Sequence, residues 1–165
     1  MKPVGKLGAD YDAETYSDGT TVALEMKAKL EGKRPAVGSI VDTIDGARDQ
    51  LPEGGAGAVF IRVPGNWGES LEGQAAMTSA VEKGFRSTGR ISVVVFHWEK
   101  WLASPTAKQP QGAERGTDKR AELNPRARVP LPALADAIMH HSPMRLVPWL
   151  SFARLICSPA EQAGR

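Results

Sequence analysis

Polar and apolar residues alternate through residues 9–29, ADYDAETYSDGTTVALEMKAK, in the way that two β-strands do. In the middle of this segment, Asp18-Gly19 is a strong signal for a tight hairpin turn, because a type I′ turn needs a positive φ at both central positions. If these two residues form the loop, the antiparallel register places Asp12 directly opposite Glu25. The segment is therefore predicted to be a β-hairpin.

This register divides the hairpin into two faces, since side chains alternate along a strand. The apolar face contains Tyr11, Ala13, Val22, Leu24 and Met26. The charged face contains Asp10, Asp12, Glu14, Ala23, Glu25 and Lys27. Opposed β-carbons are only about 4.5–5.5 Å apart, so the two facing carboxylates would repel each other. Such a group of carboxylates suits magnesium, a hard cation with oxygen ligands; the alternative is a solvated face with an incidental ion pair.

Two helices and two buried strands are predicted after the hairpin. The first helix follows Pro35 and has its apolar residues at three- and four-residue steps, namely Val37, Ile40, Val41, Ile44, Ala47 and Leu51. The run GAGAVFIRVP is typical of a strand buried on both sides, and a right-handed parallel crossover should connect it to the strand of Glu25. A less regular helix, from about Ser70 to Arg86, leads to a second apolar run, RISVVVFHW. Its inward residues are expected to be Leu71, Ala75, Thr78, Val81 and Phe85.

The remainder of the chain has a different composition. Apolar residues nearly vanish from 104–130 among proline, glycine and charge, which predicts a solvated linker or meander. Beyond it, leucine, isoleucine and tryptophan return, and two short helices interrupted near Pro143 and Pro148 are expected. The predicted fold is α/β: residues 1–103 form a core with a mixed sheet, an N-terminal hairpin, a βαβ crossover and flanking helices, residues 104–130 form the linker, and 131–165 form an irregular, partly helical C-terminal extension.

Composition narrows the function only slightly. The 165 residues include 21 lysines and arginines against 19 acids, and this net charge of +2 does not indicate a nucleic-acid coat. The single cysteine fits a reducing compartment. No apolar run approaches the ~20 residues of a spanning helix, and MKPVGKLGAD lacks the apolar part of a signal peptide. We therefore expect a cytoplasmic protein that does not bind membranes; its oligomeric state stays open.

In this context, the hairpin resembles a known family. An aspartate on the first strand, Glu-x-Lys on the second in LEMKAK, a helix and a buried parallel strand are together similar to the core of the restriction-endonuclease-like nucleases, the PD-(D/E)XK superfamily. The similarity covers about residues 9–98. No proline precedes Asp10, and only nine residues stand in front of it, where the family usually has a helix and a further strand. The resemblance thus implies a nuclease core without its front, or a degenerate relative.

The resemblance also implies a set of site residues. Magnesium or manganese would be held by Asp10 or Asp12, by Glu25 and by the backbone carbonyl of Met26, and Lys27 would lie beside the attacking water. A carboxylate-bound divalent metal makes water nucleophilic and offsets the negative charge of the phosphodiester transition state. The implied activity is metal-dependent hydrolysis of DNA. The alternative, from another class, is a catalytically inactive α/β module that binds a protein or nucleic-acid partner.

Two polar residues near the end of the first predicted helix are further candidates. Arg48 falls close to the apolar stripe, and Gln50 lies about a third of a turn outside it, at the end nearest the next strand. Either residue is a candidate for contacting a substrate phosphate or a metal-bound water. The alternative is an arginine whose stem lies along the edge of the core and a solvated glutamine.

Overall fold

A mixed β-sheet forms the centre of the computed structural model, which describes residues 2–3, 11–28, 34–103 and 113–140. In these residues, six strands lie side by side in chain order: β1 (Lys2–Pro3), β2 (Ala13–Ser17), β3 (Thr20–Ala28), β4 (Ala56–Arg62), β5 (Ile91–Ala103) and β6 (Ala113–Leu123). The helices are α1 (Val37–Gln50), α2 (Gly65–Glu69), α3 (Leu71–Ser87) and α4 (Pro132–His140). Strands β3, β4 and β5 are parallel, and the other neighbours are antiparallel. The predicted α/β fold with a mixed sheet is confirmed.

The hairpin of β2 and β3 has the predicted turn. Asp18 and Gly19 have φ values of 52° and 75°, and Ser17 pairs with Thr20. The prediction of the apolar face is wrong for one residue, Tyr11, which packs against the hydrophobic cluster on the opposite side of the sheet. The reason is that β2 begins only at Ala13, so Tyr11 lies in a bend where strand alternation does not apply.

Helices cover both faces of the sheet. Helix α1 connects β3 to β4 and buries Ile40, Ile44 and Ala47, as its periodicity predicts. Helices α1, α2 and α3 pack on one face of the sheet, and α4 packs on the other. The strand β4 between these layers is buried at each position except Arg62. No helix among the described residues is long and apolar enough to cross a membrane.

The buried face of α3 differs from the one expected. Val81 and Phe85 are buried as predicted, but Leu71 is 91% exposed and Ala75 is also exposed. The face that packs consists mainly of small residues, and its buried members are Gly73, Ala76, Met77, Ala80, Val81, Gly84 and Phe85. These glycines and alanines let the helix approach its neighbours closely, which a stripe based on larger apolar residues does not reveal.

The prediction of a solvated linker or meander over 104–130 missed a regular element, because this segment contains β6, which pairs with β5 along its whole length. β6 is rich in charged residues, and a strand at the edge of a sheet obtains its hydrogen bonds from the neighbouring backbone without needing an apolar sequence. After it, the buried Asn124 donates to the carbonyl oxygens of Thr88 and Ile91 at 2.9 and 2.7 Å. Only one of the two predicted C-terminal helices, α4, falls within the described residues, whereas Pro143 and Pro148 lie outside them.

Candidate active site

The two residues of the Glu-x-Lys element lie near the carboxyl end of β3. Ala23 belongs to the hydrophobic cluster under α1, and because strand side chains alternate, Glu25 and Lys27 lie on that same side of the sheet. Glu25 is only 2% exposed and is among the largest fully buried side chains of the described residues. The charged face of the hairpin is therefore covered by the helical layer at Glu25 rather than solvated.

Lys27 connects Glu25 to the end of α1. Its ammonium nitrogen lies 2.5 Å from Glu25 Oε1, and it also donates a hydrogen bond to Gln50 Oε1. The Lys27 side chain is 28% exposed, so that it spans the distance from the buried carboxylate to the surface. The ammonium group is thus held in place from two sides.

The carboxylate of Glu25 is in an unusual electrostatic environment. Its second oxygen, Oε2, is buried and has no hydrogen-bond partner among the residues that the structure describes. Burial raises the pKa of Glu25 above its ordinary value, and the negative charge of Asp12 raises it further, while the hydrogen bond from Lys27 opposes the shift. An ionised Glu25 would be stabilised by another positive charge at Oε2.

Asp12 lies one step beyond the last paired residues of the hairpin, Ala13 and Leu24. Its backbone N–H donates to the carbonyl of Leu24 at 3.1 Å, and its Oδ2 accepts the backbone N–H of Met26 at 2.8 Å. These bonds hold an exposed carboxylate beside the buried one of Glu25. The structure thus brings together Asp12, Glu25 and Lys27, whereas Asp10 lies outside the described residues.

A surface depression of about 360 Å³ opens next to these residues. Its lining residues are Asp12, Met26, Lys27, Ala28 and Arg62. The strands β3 and β4 are parallel and end here at Ala28 and Arg62. Ligands of open α/β sheets usually bind at the carboxyl ends of parallel strands.

The helix candidates differ in their placement. Gln50 contacts Lys27, as described, but Arg48 forms ion pairs with Asp45 at 3.0 Å and Asp49 at 2.8 Å and does not line the depression. Arg62 lines it and was missed by sequence reasoning. The available signal was its place as the charged residue that follows the apolar run of β4.

The donor set of the site fits a hard divalent cation only in part. Asp12 and Glu25 are two oxygen donors, and the buried Oε2 of Glu25 has no hydrogen-bond partner within the described ranges. In the part of the chain that the structure describes, no three Asp, Glu, His or Cys side chains are grouped for metal binding. Magnesium is commonly bound through one or two carboxylates and keeps several waters, so two carboxylates are sufficient for it.

Comparisons of this chain with models of protein families, with curated proteins and with solved structures give no significant match.

Proposed function

We propose that this chain is the core of a metal-dependent nuclease of the PD-(D/E)XK type that hydrolyses phosphodiester bonds in DNA. The observation that carries the proposal is the buried Glu25 carboxylate, which is paired with Lys27 and feels the charge of Asp12, while Lys27 and Asp12 line an accessible depression. The hairpin, the crossover helix α1 and the parallel strand β4 are the elements that the resemblance requires around such a site.

Asp12 and Glu25 are the side chains that would hold magnesium or manganese, with the Met26 carbonyl as the further ligand that the resemblance implies. When bound, the cation would supply a water that is nucleophilic near neutral pH and a counter-charge for the phosphate oxygens. The negative charge of Asp12 contributes to the raised pKa of Glu25. A bound cation would offset this repulsion between the two carboxylates.

Lys27 would act as a positioned point charge. Its ammonium group, fixed by Glu25 and Gln50, lies at the border of the depression, where a scissile phosphate would enter. A group held in this way needs little reorganisation when negative charge develops on a phosphate. Gln50 is then a positioning residue that keeps the lysine in place without itself lining the depression.

A purely structural role explains this arrangement less well. Transferring an ion pair from water into a protein interior costs more free energy than packing apolar residues there, so buried ion pairs are weak contributors to stability. Ionisable residues with shifted pKa values beside a cleft are enriched at functional sites. The inactive binding module remains the competing function, and the experiment below distinguishes the two.

The test is cleavage of a supercoiled plasmid by the purified protein with magnesium, compared among wild type, Glu25→Gln, Lys27→Met and the control Glu82→Gln. Glu82 is an exposed acid of α3, so its replacement makes the same chemical change outside the site. We expect Glu25→Gln and Lys27→Met to lose at least about 100-fold in rate and the control to be unchanged. Equal cleavage by all four proteins would refute the proposal.

Calorimetric titration of magnesium or manganese tests the metal site separately from activity. We expect heat of binding with wild type and none with Glu25→Ala, because a principal ligand is gone. A wild-type protein that binds DNA, neither binds metal nor cleaves, and retains its affinity for DNA in Glu25→Ala would be the inactive module instead.

A further inference from the structure

Of the described residues that line the depression, Arg62 alone comes from outside the hairpin. It is the last residue of β4 and pairs in register with Ala28, the last residue of β3. Neighbouring strands are about 4.8 Å apart, so Arg62 is one strand and one residue away from Lys27. Because side chains alternate along a strand, Arg62 leaves the sheet on the face of Phe60, opposite to Lys27, and it reaches the proposed site by lining the depression at the strand ends.

The second cation of the depression, Lys27, is already engaged. Its ammonium group contacts the Glu25 carboxylate and the Gln50 amide, which leave it only partly able to neutralise an incoming anion. Arg62, by contrast, has a side chain that is 46% exposed, and it forms a surface ion pair with Glu99 at 2.7 Å. Exposed ion pairs contribute little to stability, so an anion that binds the guanidinium group more strongly can displace the glutamate.

The neighbour of Arg62 on the next strand does not duplicate its charge. His97 pairs in register with Arg62, and burial together with the positive charge of Arg62 lowers the pKa of His97 to about 4. The imidazole is therefore neutral near pH 7. Of the paired residues Arg62 and His97, Arg62 is therefore the one that is positively charged at this pH.

An anion that enters the depression beside the acidic residue Asp12 must be held by a strong cationic donor. Guanidinium groups bind phosphate oxygens through two parallel hydrogen bonds and are more weakly hydrated than ammonium groups. We propose that Arg62 binds a backbone phosphate of DNA next to the scissile one and so positions the strand in the depression. The choice of DNA as the ligand rests on the proposed function, whereas the position of the anion site rests on the geometry of Arg62.

The experiment measures binding of a fluorescein-labelled 20-base-pair duplex by anisotropy, in EDTA, over a range of salt concentrations. The proteins are wild type, Arg62→Ala, Arg62→Lys and the control Arg86→Ala. Arg86 is an exposed arginine in the last turn of α3, which precedes the opposite, amino end of β5, and its loss changes the net charge equally. Thermal unfolding of each variant shows whether the fold is intact.

We expect Arg62→Ala to bind the duplex about tenfold more weakly than wild type. The slope of the logarithm of the association constant against the logarithm of the salt concentration should become less steep by about one, the effect of one lost phosphate contact. Arg62→Lys should retain most of the slope, because the charge remains, and Arg86→Ala should match wild type. In addition, Glu99→Gln should strengthen binding, since it removes the carboxylate that competes for Arg62. A purely structural role of Arg62 would change unfolding without changing the salt slope.

The outcomes separate this inference from the proposed function. If Arg62→Ala and Arg86→Ala have the same affinity and salt slope, the Arg62 site is refuted even when the wild type cleaves DNA. If wild type binds the duplex through Arg62 but does not cleave with magnesium, the nuclease proposal fails and the phosphate site stands. A wild-type protein that does not bind the duplex refutes the Arg62 site, and plasmid cleavage with magnesium then decides the nuclease proposal by itself.

Discussion

Glu25 is a charged residue at a position where the neighbouring strand has Val59, its register partner, and where the helical layer supplies an apolar cover. A carboxyl group at such a position is destabilising when ionised, because it has lost its hydration, and the hydrogen bond with Lys27 compensates this only in part. Packing alone does not account for a carboxylate at this position, whereas the proposed metal site would.

The raised pKa of Glu25 predicts a pH dependence of stability. The folded state holds this proton more tightly than the unfolded chain, so the stabilising contribution is present below about pH 4.5, the ordinary value, and is lost as the pH rises through the raised pKa. Glu25→Gln removes this titration. We therefore expect the free energy of unfolding of wild type, relative to Glu25→Gln, to fall as the pH is raised from 4.5 to 8.

Urea denaturation at several pH values measures this difference, with Glu82→Gln as the control for an exposed glutamate. Added magnesium should stabilise wild type at pH 8 and leave Glu25→Gln unaffected, because a ligand of the folded state raises its stability. A wild-type protein whose stability relative to Glu25→Gln is constant over this pH range would contradict the prediction.

His97 predicts a titration of opposite sign. Burial and the charge of Arg62 lower the pKa of His97 from 6.5 to about 4, so its contribution to stability is present above pH 6.5 and is lost as the pH falls towards 4. A shift of this size corresponds to up to about 3 kcal/mol. We expect His97→Gln to lose less stability than wild type between pH 6.5 and 4 in urea denaturation. His140→Gln, which replaces an exposed histidine of α4, is the control, and identical pH profiles of wild type and His97→Gln would refute the prediction.

At the scale of elements, α3 depends on the absence of side chains at its contact points. A β-carbon added at Gly73 would lie 2.1 Å from the carbonyl oxygen of Trp67, and one added at Gly84 would lie 2.8 Å from Ile44. The first of these neighbours is backbone and cannot move aside easily. Close packing of α2 on α3 therefore requires glycine at position 73.

Gly73→Ala should destabilise the protein by about 1–3 kcal/mol, the usual cost of overpacking. Gly46→Ala is the matched control, because Gly46 lies within α1 and, apart from its chain neighbours and the nearby backbone of α1, no described residue has an atom within 4 Å of the added β-carbon. That change should stabilise the protein by about 0.5–1 kcal/mol through helix propensity. Equilibrium denaturation of both variants measures the contrast, and equal effects would contradict it.

The elements that the sequence predicts well are those with a strong local signal. The Asp18-Gly19 turn and the apolar stripe of α1 each depend on a few adjacent residues, and both are confirmed. Strand β6 has no such signal, because an edge strand is held by backbone pairing to β5 and its side chains stay polar. The predicted buried face of α3 was wrong for a related reason, because small residues pack tightly but contribute little to a hydrophobic pattern.

At the scale of the whole molecule, the candidate site is assembled from separate parts of the chain. Asp12, Glu25 and Lys27 lie on one hairpin, so the turn alone fixes their relative register and sequence reasoning can place them together. Gln50 comes from the end of α1 and Arg62 from the end of β4. Their approach to the hairpin follows from the parallel pairing of β3 with β4; the sequence predicts this crossover but not the register that pairs Arg62 with Ala28.

This assembly predicts a conflict between stability and function. Replacing a buried ion pair by apolar residues of similar volume is often neutral or stabilises a protein by about 1–4 kcal/mol. We expect Glu25→Met/Lys27→Met to unfold at the same or a higher urea concentration than wild type at pH 7, because methionine at both positions removes the desolvated charges and can pack beneath α1.

The control is the surface pair Glu53→Met/Arg90→Met, whose glutamate side chain is 82% exposed and whose loss should change stability by less than about 1 kcal/mol. A strongly destabilised Glu25→Met/Lys27→Met protein would mean that the ion pair is needed to hold β3 against α1, and the functional interpretation would lose its physical basis. A protein that is stable and fails to bind magnesium would mean that the sheet and helices fold without this ion pair, and that Glu25 and Lys27 are there for the cation and the phosphate.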